Sequence, residues 1–234
     1  MKESILKQYP YRIELHAHTS PCSGCSHVQP EELVRLYAEK GYHGLVLTNH
    51  FEPGKLQFGK EEAVAMHMRD YHTARAAAEA YGMTVYLGVE LRFQENINDY
   101  LIYGVNEQLL STFYDYIPTD AATFRKEVAL PNSVFLQAHP FRPDMVLCNP
   151  ELLDGMECLN LHPRHNSAVG LATQYAYEQN LQIKIAGSDA HRVGDQGMAA
   201  LRTRGLPKDS FEIAEILKSA DFVFEVGGGS VWIP

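Results

Sequence analysis

The chain is poor in cysteine. Its four cysteines in 234 residues, Cys22, Cys25, Cys148 and Cys158, are too few and too scattered for a disulfide scaffold, so reduced thiols in a cytoplasmic protein are the expectation. No stretch approaches the roughly 20 apolar residues of a membrane-spanning helix. Met1 to Arg12 also lacks the apolar core of about 7–15 residues found in a secretory signal. There is no positive excess either: 20 Lys and Arg stand against 29 Asp and Glu, a net charge of −9, with the two signs interspersed. That balance argues against a broad surface for long nucleic acid or an anionic membrane. An acidic substrate would then need a local positive centre, which bound metal cations can supply. Repeats, low-complexity runs and Pro/Ser-rich linkers are missing as well, so residues 1–234 are expected to form one domain.

What is present is an alternation of short β-rich runs and longer helical segments, the pattern of a mainly parallel α/β sheet or barrel. Strands are predicted at 12–16, 44–48, 84–91, 100–105, 134–138, 156–161, 183–186 and 221–226. A helix over 30–40 has Pro30 in its first turn and Glu31 and Glu32 at its positive end, and Gly41 stops it. The segment 61–81 carries Val64, Met68, Tyr71, Ala74 and Ala78 at helical spacing, with His67 and His72 beside that stripe as surface or groove residues. Helices over 166–180 and 210–220 complete the set, the second with Ser210 as its cap.

The chemistry concentrates at strand ends. His16 and His18, in Leu15-His16-Ala17-His18-Thr19, are two residues apart in an alternating segment and therefore share a face. Two imidazoles presented to one point suit a borderline divalent metal such as zinc. His50 follows the second strand, Glu90 ends the third, His139 closes another, and Asp189 and His191 follow Ile185-Ala186-Gly187-Ser188. In parallel α/β folds the carboxyl ends of the strands meet at one face, so five strands would deliver these side chains to one cavity. One ion uses about four protein ligands. The excess points to a polynuclear centre in which Glu90 can bridge two cations, a geometry suited to phosphoryl displacement.

Three local patterns compete. Cys22-Ser23-Gly24-Cys25 is a lone CxxC in a loop with no second pair, which favours neither a zinc site of its own nor a redox role. Gly54 to Lys60 reads GxxxxGK, but Glu61 stands where a phosphate-binding loop needs Ser or Thr. Gly227-Gly228-Gly229-Ser230 reads as a turn with no helix behind it.

The motifs HxHTS at 16–20, TNH at 48–50, GVE at 88–90, AHPxR at 138–142 and GSDAH at 187–191 occur together in the order found in the PHP (polymerase and histidinol phosphatase) domain family, which this chain resembles. The resemblance implies a distorted (β/α)7 barrel that holds two or three divalent transition metal ions, zinc, manganese or iron. Carried over by position, it places His16, His18, Glu90 and Asp189 on a first metal, Glu90 and His139 on a second, and His50 and His191 on a third. The histidine that many members carry shortly after the first motif is assigned to His27. Asn49 stands where relatives usually have Asp. Asp99 lies where many relatives have a histidine on the fourth strand, and it either replaces that ligand or leaves the second metal to water.

These residues predict a phosphoesterase, histidinol-phosphatase-like, that hydrolyses a phosphate monoester or small phosphodiester through hydroxide generated at the metals. Arg142 is placed to make a bidentate contact to the phosphate. His162 and His165 are candidates for protonating the leaving group or orienting the substrate. The expected partner is a small phosphorylated molecule, with no long nucleic acid and no membrane. An amidohydrolase-like enzyme acting on a C–N or C–O bond, or a non-catalytic metal-stabilised binding domain, is the alternative.

Overall fold

A computed structural model describes residues 2–234. In chain order its elements are α1 (Lys2–Gln8), β1 (Tyr11–Glu14), α2 (Pro30–Glu39), β2 (Gly44–Leu47), β3 (His50–Phe51), α3 (Lys60–Ala78), β4 (Thr84–Leu87), β5 (Val89–Arg92), β6 (Asp99–Tyr103), α4 (Glu107–Tyr116) and α5 (Ala121–Glu127). They continue with β7 (Val134–Gln137), β8 (Gly155–Asn160), α6 (Val169–Glu178), β9 (Ile183–Gly187), β10 (Ala199–Thr203), α7 (Ser210–Ser219), β11 (Val223–Val226) and β12 (Ser230–Trp232).

The strands form two six-stranded sheets, ordered β12-β11-β10-β1-β2-β4 and β3-β5-β6-β7-β8-β9. The pairs β1–β2, β2–β4, β3–β5, β7–β8 and β8–β9 are parallel, whereas β1–β10, β5–β6, β6–β7, β10–β11 and β11–β12 are antiparallel. The architecture is therefore α/β with mixed sheets, and the described strands do not pair as one continuous ring.

Gly88 explains one departure from the sequence reading. The run 84–91 looks like a single strand, but it divides there, with β4 in one sheet and β5 in the other. A Cβ on Gly88 would lie 2.7 Å from Val46 Cγ1, so only glycine lets the chain cross so close to β2. A bridge between Ala17 and Ala190 joins the two sheets at the other seam.

Ile13, Val46 and Tyr86 of the first sheet and Leu101, Leu136 and Ile185 of the second share one apolar core with Ile213 and Leu217 of α7. Helices α3, α4 and α5 cover the second sheet through Val64, Leu110, Phe113 and Phe124. Burial of this kind is the main stabilising term for such layers, and it leaves the carboxyl ends of β1, β2, β5, β7, β8 and β9 grouped at one end.

Two local expectations change. The α7 cap is Asp209, whose Oδ1 accepts from the Phe211 and Glu212 amides, while Ser210 Oγ accepts from the Gly104 and Val105 amides beyond β6. His67 is buried rather than on a surface or groove: its Nε2 donates to the Gly88 carbonyl at 3.1 Å, and its Nδ1 lies 3.8 Å from Cys22 Sγ. Lys55 of the GxxxxGK segment is also turned inward, onto the Cys22 carbonyl, so that segment cradles no phosphate.

Candidate metal centre

The site begins with Glu14, a buried carboxylate on the last residue of β1. Its Oε1 accepts from the amides of Leu15, His16 and Ser188, and its Oε2 accepts from Tyr37 Oη and Ser188 Oγ. These bonds tie the end of β1 to the end of β9 and set His16 beside Asp189.

His16 is oriented by Glu157 on β8, which accepts from His16 Nδ1 at 2.8 Å. A carboxylate can only accept, so Nδ1 carries a hydrogen and in the neutral ring Nε2 carries the lone pair. His18 follows by a longer chain of bonds. The Thr19 amide donates to Asn49 Oδ1 at 2.7 Å, which fixes that side-chain oxygen as an acceptor. Ser23 Oγ therefore gives its one hydrogen to Asn49 Oδ1 and must accept from His18 Nδ1 at 3.2 Å. His18 Nε2 is left with a lone pair as well. Asn49, the departure from the usual Asp, thus sets a tautomer through Ser23.

The two Nε2 atoms face each other at 3.1 Å. Glu90 Oε1 and Oε2 lie 3.3 Å from His16 and His18 respectively, and Asp189 Oδ1 lies 3.4 Å from each. Five electron-rich atoms at such spacing repel one another unless a proton or a metal cation sits among them. Tetrahedral ligands roughly 2.0–2.1 Å from a zinc ion stand about 3.3 Å apart, so the donor set fits a divalent ion. His139 Nε2 is 3.0 Å from Glu90 Oε1. On the other side, Glu90 Oε2 and His50 Nδ1 are 3.1 Å apart, both buried and without hydrogen-bond partners, as expected of atoms reserved for a metal.

The carboxylates are held ionised. Burial works to raise Glu90 and Asp189, but His16 with His50, and His16 with His18 and His191, overcome it and bring both well below the usual carboxylate range. Burial likewise opposes protonation of His16, yet Glu157, Asp189 and Glu90 raise its pKa well above the ordinary value, so without a metal its Nε2 takes up a proton in the place a cation would fill. His18 is lowered by burial and by the neighbouring His191 and His50. Both Asp189 and His139 adopt positive φ, 51° and 27°. Such strain is found where the surroundings force a side chain into a functional position.

Glu157 and Asn160 carry no motif and were not legible as site residues. A bulge in β8 between Glu157 and Leu159 shifts the register by one residue. Residues three apart normally point to opposite faces of a strand; the extra residue puts both on the same face. Asn160 Nδ2 can then donate to Glu157 Oε2 at 2.9 Å and to Asp189 Oδ2 at 3.1 Å. The only sequence signal is a charged residue inside the apolar run Met156-Glu157-Cys158-Leu159. Gly187 matters for the same contact: a Cβ there would lie 2.6 Å from both Glu157 Oε1 and His16 Cβ.

Of the predicted site residues, His16, His18, His50, Glu90, His139, Asp189 and His191 converge here. His27 does not. Its side chain points to solvent, only its amide being used, as a donor to the His191 carbonyl at 2.9 Å. Cys25, a solvent-exposed residue, lines the cavity together with His50 and His191. Burial would raise its thiol, but the proximity of those two rings brings it down to about 6. Asp99 groups with His50 and Glu90, yet both of its oxygens are engaged by Arg92 at 2.8 and 2.7 Å.

Arg142 lies in the cavity and donates from Nη2 to Asp189 Oδ2 at 2.6 Å and Asn160 Oδ1 at 2.9 Å, while its buried Nε has no partner. The cavity, about 370 Å³, is also lined by Arg92, Arg164, Arg192, His162 and His165. Burial, together with the nearby His165, His191 and Arg164, lowers His162 to about 4, and burial and Arg142 lower His165. Neutral rings at pH 7 can orient a substrate by hydrogen bonding, but they are poorly suited to protonating a leaving group.

Comparison with known proteins agrees with this arrangement. The profile of the PHP domain matches residues 14–226. The chain belongs to the PHP domain family. Among solved structures it is similar to a two-domain protein from Bacteroides vulgatus containing a predicted PHP-like metal-dependent phosphoesterase, at 20% identity and a TM-score of 0.63, covering 93% of this chain and 65% of that one. The PHP chain thus spans less than two thirds of that relative's length. It is also similar to PsfC from Pseudomonas syringae, at 14% identity and a TM-score of 0.57, covering 82% and 80% of the two chains. No curated protein matches it. No helix among the described residues is long and apolar enough to cross a membrane.

Proposed function

We propose that this PHP chain is a metal-dependent phosphoesterase that hydrolyses a phosphate monoester or small phosphodiester, histidinol-phosphatase-like in its chemistry. The observation that carries this reading is the pair of Nε2 lone pairs of His16 and His18 facing each other beside two ionised carboxylates, in a cavity with four arginines on its wall. His16, His18, Glu90 and Asp189 would hold a first ion, Glu90 and His139 a second, and His50 and His191 a third. When bound, zinc, manganese or iron ions there supply Lewis-acid polarisation of the phosphoryl oxygens and a nucleophile at neutral pH.

The chain supplies the rest. Arg142 lines the cavity and holds Asp189 with Nη2, which leaves the rest of its guanidinium to donate to a phosphoryl oxygen. Glu157 and Ser23 hold the two imidazoles in the tautomers that accept a cation. The substrate is a small phosphorylated molecule, because the cavity admits nothing larger and the acidic exterior repels long nucleic acid. The two sheets, joined at Gly88 and at the Ala17–Ala190 bridge, support the reading of a distorted (β/α)7 barrel. Four free thiols fit a reducing, cytoplasmic setting.

The test is a panel of aryl and metabolite phosphates assayed with zinc, manganese or iron, with metal content measured in the same preparation. Phosphate release that depends on metal is expected. Arg142→Lys keeps the charge but loses the planar fork, and kcat/KM for phosphate esters should fall by about 1.5–3 kcal/mol of transition-state stabilisation. A metal-loaded protein that cleaves amides or lactones and no phosphoester overturns the reading.

A further inference from the structure

Cys25 is a side chain that the function above does not use. Beside it, His191 donates Nδ1–H to the Asp189 carbonyl at 2.9 Å, which leaves its Nε2 as a lone pair. His50 offers a ring nitrogen that is buried and unpartnered, and Glu90 Oε2, on a side chain only 1% exposed, points unpartnered into the same corner. His18, His50 and His191 form one potential donor group. The corner therefore has imidazoles in plenty and a shortage of negative charge. Glu90 is shared with His16, His18 and His139, Asp99 is neutralised by Arg92, and Arg92, Arg142, Arg164 and Arg192 line the cavity.

We propose that Cys25 is an anionic ligand of the ion held at His50 and His191, and that it makes this corner selective for a thiophilic metal. The inference rests on the metal-centre reading above. Cys25 is the cysteine that lines the cavity with those two histidines while remaining open to solvent, whereas His27, three residues before the start of α2, does not line it. A thiolate adds the charge that two neutral imidazoles lack. It is also a soft donor, which favours zinc or iron over manganese or magnesium, ions that prefer oxygen ligands. Loading the corner releases the thiol proton to solvent as the sulfur–metal bond forms, with no change of oxidation state.

The experiment titrates the chelator-stripped full-length protein with cobalt(II) and reads both stoichiometry and the near-ultraviolet charge-transfer absorption of a thiolate–cobalt bond. The wild type should bind more than one equivalent and develop that band. Cys25→Ser and Cys25→Ala should lose the band and one equivalent while retaining the remainder, and Cys25→His should regain the equivalent without the band. Manganese should fill one site fewer than zinc in the wild type and the same number as zinc in Cys25→Ala. If Cys25→Ala keeps both the band and the full stoichiometry, or if the wild type binds its full complement with no band, Cys25 is not a ligand and the metal-centre reading survives. If the wild type takes up no cobalt at all, the metal-centre reading fails together with this one.

Discussion

His16 and His18 present their Nε2 atoms to each other across 3.1 Å, and each ring has already given its Nδ1 hydrogen away, to Glu157 and to Ser23. Two imidazole nitrogens meet this way when something positive, a proton or a metal ion, lies between them. Stripping metal with chelator should therefore lower the melting temperature, and adding zinc, manganese or iron should restore it. A ligand at 100 times its Kd stabilises by about 2.7 kcal/mol, a shift readily seen in thermal denaturation. Elemental analysis should find more than one equivalent. An identical melting curve with and without chelator would show that the cluster is a purely structural network.

Glu157→Gln keeps the shape of the side chain and removes its charge. Oε1 accepts from His16, and Oε2 accepts from the His139 amide and from Asn160. An amide nitrogen in either position meets a donor. Metal affinity should drop by roughly 10–100-fold, the usual cost of losing a group that orients a ligand. Competition against a chromophoric chelator measures it, and unchanged affinity would remove Glu157 from the site.

Gly187→Ala places a methyl 2.6 Å from Glu157 Oε1 and His16 Cβ. Overpacking of this kind costs about 1–3 kcal/mol, and metal content should fall with it because the displaced groups are the ones that set His16. Gly170→Ala in α6 is the control. Nothing lies within 4 Å of a Cβ there, so denaturant unfolding should show a neutral effect or a gain of about 0.5–1 kcal/mol. Equal behaviour of the two variants would contradict the close approach.

His67 is held neutral, its pKa lowered from 6.5 to about 4 chiefly by burial. The unfolded chain binds the proton first as pH falls, so the folded state loses stability between about pH 6.5 and 4 and loses no more below that range. From pH 7.5 to 5 this amounts to about 2 kcal/mol at 1.36 kcal/mol per pKa unit. His67→Gln retains a donor for the Gly88 carbonyl and should show a pH dependence weaker by that amount in urea unfolding with chelator present. Parallel curves would mean that the ring titrates in the folded protein as it does in the unfolded chain.

The residue types at the strand ends, His16, His18, His50, Glu90, His139, Asp189 and His191, were readable from sequence because two local facts suffice: each follows an apolar run, and parallel strands end on one face. The helix at Pro30 and the long amphipathic helix after Lys60 were readable for the same reason, since capping, charge and periodicity act over a few residues. Tertiary structure decided the rest. Whether Cys25 or His27 lines the cavity depends on how their loop packs against the segment after β9, where the His27 amide donates to the His191 carbonyl. Arg142 reads as a phosphate anchor, yet Nη2 is spent on Asp189 and Asn160, residues 47 and 18 positions away. Glu157 reaches His16 across 141 residues because Gly187 leaves room, and the bulge after it in β8 brings Asn160 onto the same face. Sequence therefore determined which donor atoms the chain could bring to one end of the fold. Their protonation, partners and mutual distances came from contacts between segments far apart along the chain, which local propensity does not encode.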